Sequence, residues 1–254
     1  MKIRAQQMDE LKRAALRRFE DEMVQHMKEF SPRHCEVIGE PGVREVIRLG
    51  MQRAREHGLT NRGAVRFYIE MMFMFGSDFD TDPQYPWAAE ALDAERTPNQ
   101  NERADRLHAK TIDYLKNVAG PDNEYALDAM RRTRRASEAD LIPPGQTLRS
   151  ATLERMKSIY PQKCAYVGDA PLRALIQHGM KLAKEHSVST DESAALFIVL
   201  MFALGHGAAA DPLFPWISAT LNDRAVADPE KRVDRLRRKA ITYLDRALGH
   251  LERR

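Results

Sequence analysis

The sequence predicts an all-α protein built as a tandem duplication of a helical bundle unit of four to five helices, and three observations carry that prediction. A shift of 129 residues aligns the chain with itself, apolar residues recur at helical rather than strand spacing in both copies, and no segment alternates as a strand would. The shift pairs Cys35 with Cys164, Gly50-Met51 with Gly179-Met180 and Glu56-His57 with Glu185-His186. It holds its register through Met72-Phe73 and Met201-Phe202, Asp82-Pro83 and Asp211-Pro212, Pro86-Trp87 and Pro215-Trp216, to Gly120 and Gly249. The units so defined are residues 1–120 and 148–254, joined by 121–147.

The first helix carries Leu11, Ala15, Phe19, Met23, Met27 and Phe30 on one side, and its counterpart over Leu148 to Ile159 is shorter. The next has the stripe Val43, Val46, Ile47, Gly50, Met51 and Ala54, repeated as Leu172, Leu175, Ile176, Gly179, Met180 and Ala183. A glycine in mid-helix costs about 1 kcal/mol relative to alanine, so Gly50 and Gly179 predict close contact with a neighbouring helix. The following helices, AVRFYIEMMFMFG and SAALFIVLMFALG, are apolar nearly all round and read as the centre of each unit, with Ser189 and Glu192 spaced as a capping box. A last helix buries Leu107, Ile112, Tyr114 and Leu115, or Leu236, Ile241, Tyr243 and Leu244, and Gly120 and Gly249 stand where a helix C-cap takes glycine. Between the units, EYALDAMRRTRRASEAD predicts a linker helix with a solvated basic face, stopped by Pro143-Pro144-Gly145.

The motif Asp-Pro-x-x-Pro-Trp occurs twice. Asp82 and Asp211 read as helix N-caps, Pro83 and Pro212 as first-turn prolines, Pro86 and Pro215 as stiffeners, and Trp87 and Trp216 as anchors of the new helix. The approaches differ: GSDFDTDP in the first copy, GHGAAADP in the second, so Asp78, Phe79 and Asp80 are replaced by Gly207, Ala208 and Ala209. An acidic loop with an aromatic in its middle reads as a partner-binding loop, and Asp78, Phe79, Asp80, Asp82 and Tyr85 are its candidate contacts.

Chemistry finds little purchase. Asp78, Asp80 and Asp82 share the first spacings of a calcium loop, but Pro83 occupies the glycine position and Ala89 the bidentate glutamate position. His57 and His186 lie near helix ends where they favour the dipole, His34-Cys35 becomes Lys163-Cys164 in the second copy, and His206 stands alone in its loop. No nucleophile elbow, phosphate loop or dinucleotide fingerprint occurs. No catalytic residue, metal or cofactor is assigned. The two cysteines read as buried and unpaired.

Charge is balanced overall, 40 Lys and Arg against 37 Asp and Glu, which excludes a polycation. The first 120 residues hold 19 basic against 20 acidic side chains and residues 146–254 hold 17 against 12, so the second half is the basic one. The runs Arg131-Arg132-Thr133-Arg134-Arg135 and Arg237-Arg238-Lys239 raise nucleic-acid binding as an alternative, without interleaved aromatics to support it. With no long apolar run and a charged beginning, a cytoplasmic protein with no membrane span is expected.

Phe75 to Pro83, Pro86-Trp87-Ala88, the opening helix and the Gly50-to-His57 helix together resemble a set of bacterial helical proteins encoded beside type VI secretion effectors and other polymorphic toxins. The likeness covers residues 3 to about 115, with 146–249 as a diverged copy. It implies an accessory protein that binds a toxin or secreted effector, as an immunity protein or as an adaptor or chaperone. It carries over no catalytic residue. A non-enzymatic protein-binding module is the expected function, with nucleic-acid binding, or an enzyme sited between the two bundles, as alternatives.

Overall fold

The computed structural model describes residues 5–137 and 142–251, and among these the chain is α-helical with no strand. The first unit comprises α1 (Ala5–Phe30), α2 (Pro32–Glu56), α3 (Arg62–Phe75), α4 (Pro86–Leu92) and α5 (Gln100–Val118). A connecting helix α6 (Glu124–Ala136) follows, then α7 (Leu148–Ile159), α8 (Pro161–Val167), α9 (Asp169–Glu185), α10 (Asp191–Leu204), α11 (Pro215–Leu221) and α12 (Pro229–Leu251). The bounds of α3 and α10, and of α4 and α11, agree residue for residue under the 129-residue shift. So does the break between α8 and α9: Gly168 has φ +83°, and Gly39, inside α2, has φ +68°. Both breaks need the left-handed backbone that glycine adopts without a Cβ penalty. No described helix is long and apolar enough to cross a membrane.

The stripes read from the sequence mostly face the core. Val43, Val46, Ile47, Gly50 and Ala54 are buried on α2, with Leu172, Leu175, Ile176, Gly179 and Ala183 buried on α9. The two mid-helix glycines do mark close approach: a Cβ on Gly50 would stand 2.6 Å from Ile69 Cγ1, and one on Gly179 2.6 Å from Ile198 Cγ1. The helices α2 and α3 therefore pack nearer to each other than any larger residue permits, and α9 and α10 repeat the arrangement. Cys35 and Cys164 are buried free thiols.

Several local expectations are corrected. The N-caps of α4 and α11 are Tyr85 and Phe214, with Pro86 and Pro215 at the first helical turn, so Asp82 and Asp211 cap neither helix. Thr190 caps α10, its side chain accepting from Ser193 N, and Glu192 takes no part in a capping box because it accepts from Ile142 N instead. Gly249 lies within α12, while Gly120 does follow the end of α5 with φ +77°. Leu11, Phe30 and Ile112, expected in the core, are exposed. The connecting helix is more than a linker: Ala129, Thr133 and Ala136 are buried where α6 packs on α12 and α7.

Glu230, at the start of α12, gathers the beginning of α10 by accepting from the backbone N–H groups of Ser189 and Thr190 and from the hydroxyls of Ser189, Thr190 and Ser193. Burial opposes its ionisation, but these donors outweigh burial and pull its pKa down to about 2. A carboxyl depressed by folding contributes stability above its unfolded pKa of about 4.3 and loses it as pH falls toward its folded value. Glu230→Gln is therefore expected to flatten the loss of stability between about pH 4.5 and pH 2, read as urea midpoints across that range. An unchanged acid limb would show that Glu230 is not among the groups that set it.

Candidate functional site

The repeated turn lies where the two units meet. At the ends of α3 and α10, Gly76 and Gly205 have φ +98° and +106°. A Cβ on either would stand 3.0 Å from a backbone carbonyl oxygen of the other unit, Leu204 or Phe75. The two helix ends thus abut, and the apolar core runs on continuously from one unit to the other.

Each turn aspartate then reaches across. Asp211 accepts from the backbone N–H of Ser77 at 2.8 Å and from its hydroxyl at 2.6 Å, while also accepting from Leu213 N at 2.9 Å within its own turn. Asp82 reciprocates, accepting from His206 N at 2.7 Å and from Gln84 N at 2.8 Å. The aspartates are therefore side-chain turn formers that tie the other unit's loop. Burial raises the pKa of Asp211 despite the Ser77 and Leu213 donors, and it is resisted at His206, whose pKa is raised because Asp82 stands beside it. His206 Nδ1 lies 3.3 Å from Asp82 Oδ2, close in charge but out of hydrogen-bond alignment.

The acidic loop itself folds inward. Phe79 is fully buried against Tyr68, ring centroids 4.9 Å apart, and Asp80 accepts from Tyr68 Oη and from His57 Nε2, each at 2.7 Å. Burial opposes ionisation of Asp80, but the bonds from His57 and Tyr68 prevail and its pKa is lowered. Arg53 closes the cluster, donating to the Ser77 carbonyl and pairing with Asp78. Asp82 is 2% exposed, and Tyr85 is buried in an aromatic group with Phe75, Trp87 and Tyr114. This corrects the reading of the loop as a docking face: Phe79, Asp80, Asp82 and Tyr85 present nothing to a partner, and only Asp78 keeps a quarter of its side chain in water. Of the turn residues, Trp87 is buried and Trp216 half-buried against Tyr243, in keeping with their anchoring role.

The second unit explains why its loop is bland. Where the first has Tyr68 and Asp80, the second has Phe197 and Ala209, so the acid and one of its two donors are exchanged together for apolar residues while the other, His57, is kept as His186; Arg53, which pairs with Asp78, becomes Leu182. At Gly207 the reason is steric: a Cβ there would lie 1.9 Å from Asp78 Oδ2. Positions 78 and 207 correspond and face each other across the junction, and only one of them has room for a side chain.

Sequence reasoning missed Lys163. Its Nζ is buried, donates to the Phe202 carbonyl at 3.0 Å, and stands over the rings of Phe202 and Tyr85 at 4.6 and 5.2 Å. Burial pushes its pKa down to about 8. His34, its counterpart, packs edge-on against Phe73 and Phe214, and burial lowers it to about 4. The exchange of His34 for Lys163, visible in the sequence beside the corresponding cysteines Cys35 and Cys164, was the available signal.

Among the described residues no group of three metal-ligating side chains converges. The junction is an internal clasp in which Asp82 and Asp211 each bond the other unit's loop. The surface that remains open lies elsewhere, along α1. Its apolar stripe is buried at Phe19, Met23 and Met27 but continues toward the N-terminus as exposed Met8 and Leu11, with Leu16 exposed beside them. Next to it, between α1, the end of α2 and the start of α3, runs a groove of about 430 Å³. Leu16, Phe19, Met51, Leu59 and Val65 form its floor, and Lys12, Arg55 and Arg62 its rim.

No family model, no curated protein and no solved structure matches this chain.

Proposed function

We propose that the protein is a non-enzymatic helical module that binds another protein, and that it does so through α1 rather than through the acidic loop. The observation that carries this reading is that the apolar stripe of α1 outruns the body it packs on, leaving Met8, Leu11 and Leu16 in water beside an open groove. Contiguous apolar surface of this kind is stabilised when a partner covers it. The resemblance to proteins encoded beside secretion effectors supplies the class of partner, a toxin or secreted effector, with the roles of immunity protein or loading adaptor.

Leu11 and Leu16 are 58% and 44% exposed, so Leu11→Asp with Leu16→Asp is expected to leave thermal unfolding nearly unchanged. Affinity purification from the native host at physiological salt, with mass spectrometry, should recover a stoichiometric partner with the parent chain and none with the double variant. Equal recovery by both would remove α1 from the reading, and recovery of no protein would remove the reading itself. A toxicity rescue assay then separates immunity from loading.

A further inference from the structure

We propose that the groove beside α1 takes an acidic amphipathic helix of the partner, an assignment that rests on the protein-binding reading and narrows it. The floor is apolar, and among the described residues the charged side chains that line the groove are the cations Lys12, Arg55 and Arg62. Arg62 is already held by Glu22 and lies over the Phe19 ring at 5.0 Å. Lys12 and Arg55 make no ion pair among the described residues, so they are free to meet an incoming carboxylate. A partner with apolar residues one helical turn apart and Glu or Asp flanking them matches both features.

The second unit differs at the corresponding stretch. Residues 13–18 of α1 correspond to 142–147, which are not helical and meet the first turn of α10 at Ile142. Ile142 packs against the core, and its N–H donates to Glu192 in the first turn of α10 at 3.2 Å. In the first unit, α1 continues as helix through the same stretch and the groove runs beside it.

A second copy of this chain is a poorer occupant on charge. Residues 12–18 of α1 contribute Lys12, Arg13, Arg17 and Arg18 with no acidic side chain, so an α1 from another copy would bring like charge to a cationic rim. Of the acidic residues further along α1, three are engaged at home, Glu20 and Asp21 by Arg44, Glu20 also by Arg48, and Glu22 by Arg62.

The test uses the full chain and three fluorescein-labelled Leu/Ala peptides of about 18 residues. One is an amphipathic helix with Glu on its polar face, one carries Lys there, and one is a scramble of the first. Fluorescence anisotropy should show the Glu helix bound about tenfold more tightly than the Lys helix, with the difference shrinking in high salt and the scramble unbound. Lys12→Glu with Arg55→Glu should invert that order, and Leu16→Asp should weaken both helices. Equal affinity for the Glu and Lys helices, or indifference to Leu16→Asp, overturns the assignment. So does a dimer in sedimentation that Leu11→Asp abolishes, which would give the groove to a second copy. If no peptide binds while host purification still recovers a partner in a Leu16-dependent manner, the acidic-helix assignment falls and the protein-binding reading stands. Host recovery indifferent to Leu11 and Leu16 removes the α1 surface from that reading.

Discussion

Asp211→Ala is expected to lower the unfolding free energy by about 4 kcal/mol, the largest loss of any single polar truncation considered. Its carboxylate is 3% exposed and accepts three bonds, two of them from Ser77 in the other unit. Hydrogen bonds to a charged group contribute about 1.5–3 kcal/mol each, and removal leaves the Ser77 N–H and hydroxyl buried without an acceptor. Asp211→Asn should lose only about 1–2 kcal/mol, because the amide oxygen still accepts while the amide nitrogen cannot. Ser77→Ala isolates the part that crosses between units. Urea denaturation of the three variants at neutral pH decides the matter, and a loss below about 1 kcal/mol for Asp211→Ala would show that water replaces the aspartate freely.

The second large effect concerns the pairing of Asp80 with its setting. Asp80→Ala is expected to cost about 3 kcal/mol, since the buried Tyr68 hydroxyl loses its acceptor and His57 its carboxylate. The pKa of Asp80 is lowered in the folded protein, so its contribution is present above the unfolded value near 4 and fades as pH falls below it. The cost of Asp80→Ala should accordingly shrink in acid. The reverse change, Ala209→Asp, places a carboxylate where Phe197 and Leu182 stand in place of a hydroxyl and a guanidinium, with His186 the one donor kept, and should cost about 2–4 kcal/mol. Adding Phe197→Tyr should recover about 1 kcal/mol of that. A double-mutant cycle with no coupling between positions 197 and 209 would sink this account of why the two loops differ.

The helices were legible because their signal is local. Val43, Val46, Ile47 and Ala54 repeat at helical spacing whatever they pack against, and Gly50 announces a close neighbour by lacking a side chain. The bounds of α3 with α10, and of α4 with α11, follow the 129-residue register read from the sequence. The acidic loop was misjudged because its partners are remote in sequence: Arg53 and His57 lie 25 and 23 residues before the carboxylates they meet, and Ser77 is 134 residues from Asp211. Asp78, Phe79 and Asp80 look like surface chemistry until those partners are known. The same remoteness hid the cross-unit role of Asp82, whose local spacing to Pro83 fits a helix cap equally well. The exposed end of α1 was invisible for the opposite reason. Leu11 continues the stripe of Phe19 and Met23, and periodicity alone does not reveal where the supporting helices stop.

The space shared by Asp78 and Gly207 sets a rule of assortment for the molecule. Two first units brought together head to head would each insist on an aspartate at a spot that admits one. Two second units would leave that spot empty and bring no Arg53 to it. The half with the acid therefore fits the half without it better than it fits a copy of itself, and carrying both on one polypeptide supplies the complementary mate at fixed stoichiometry.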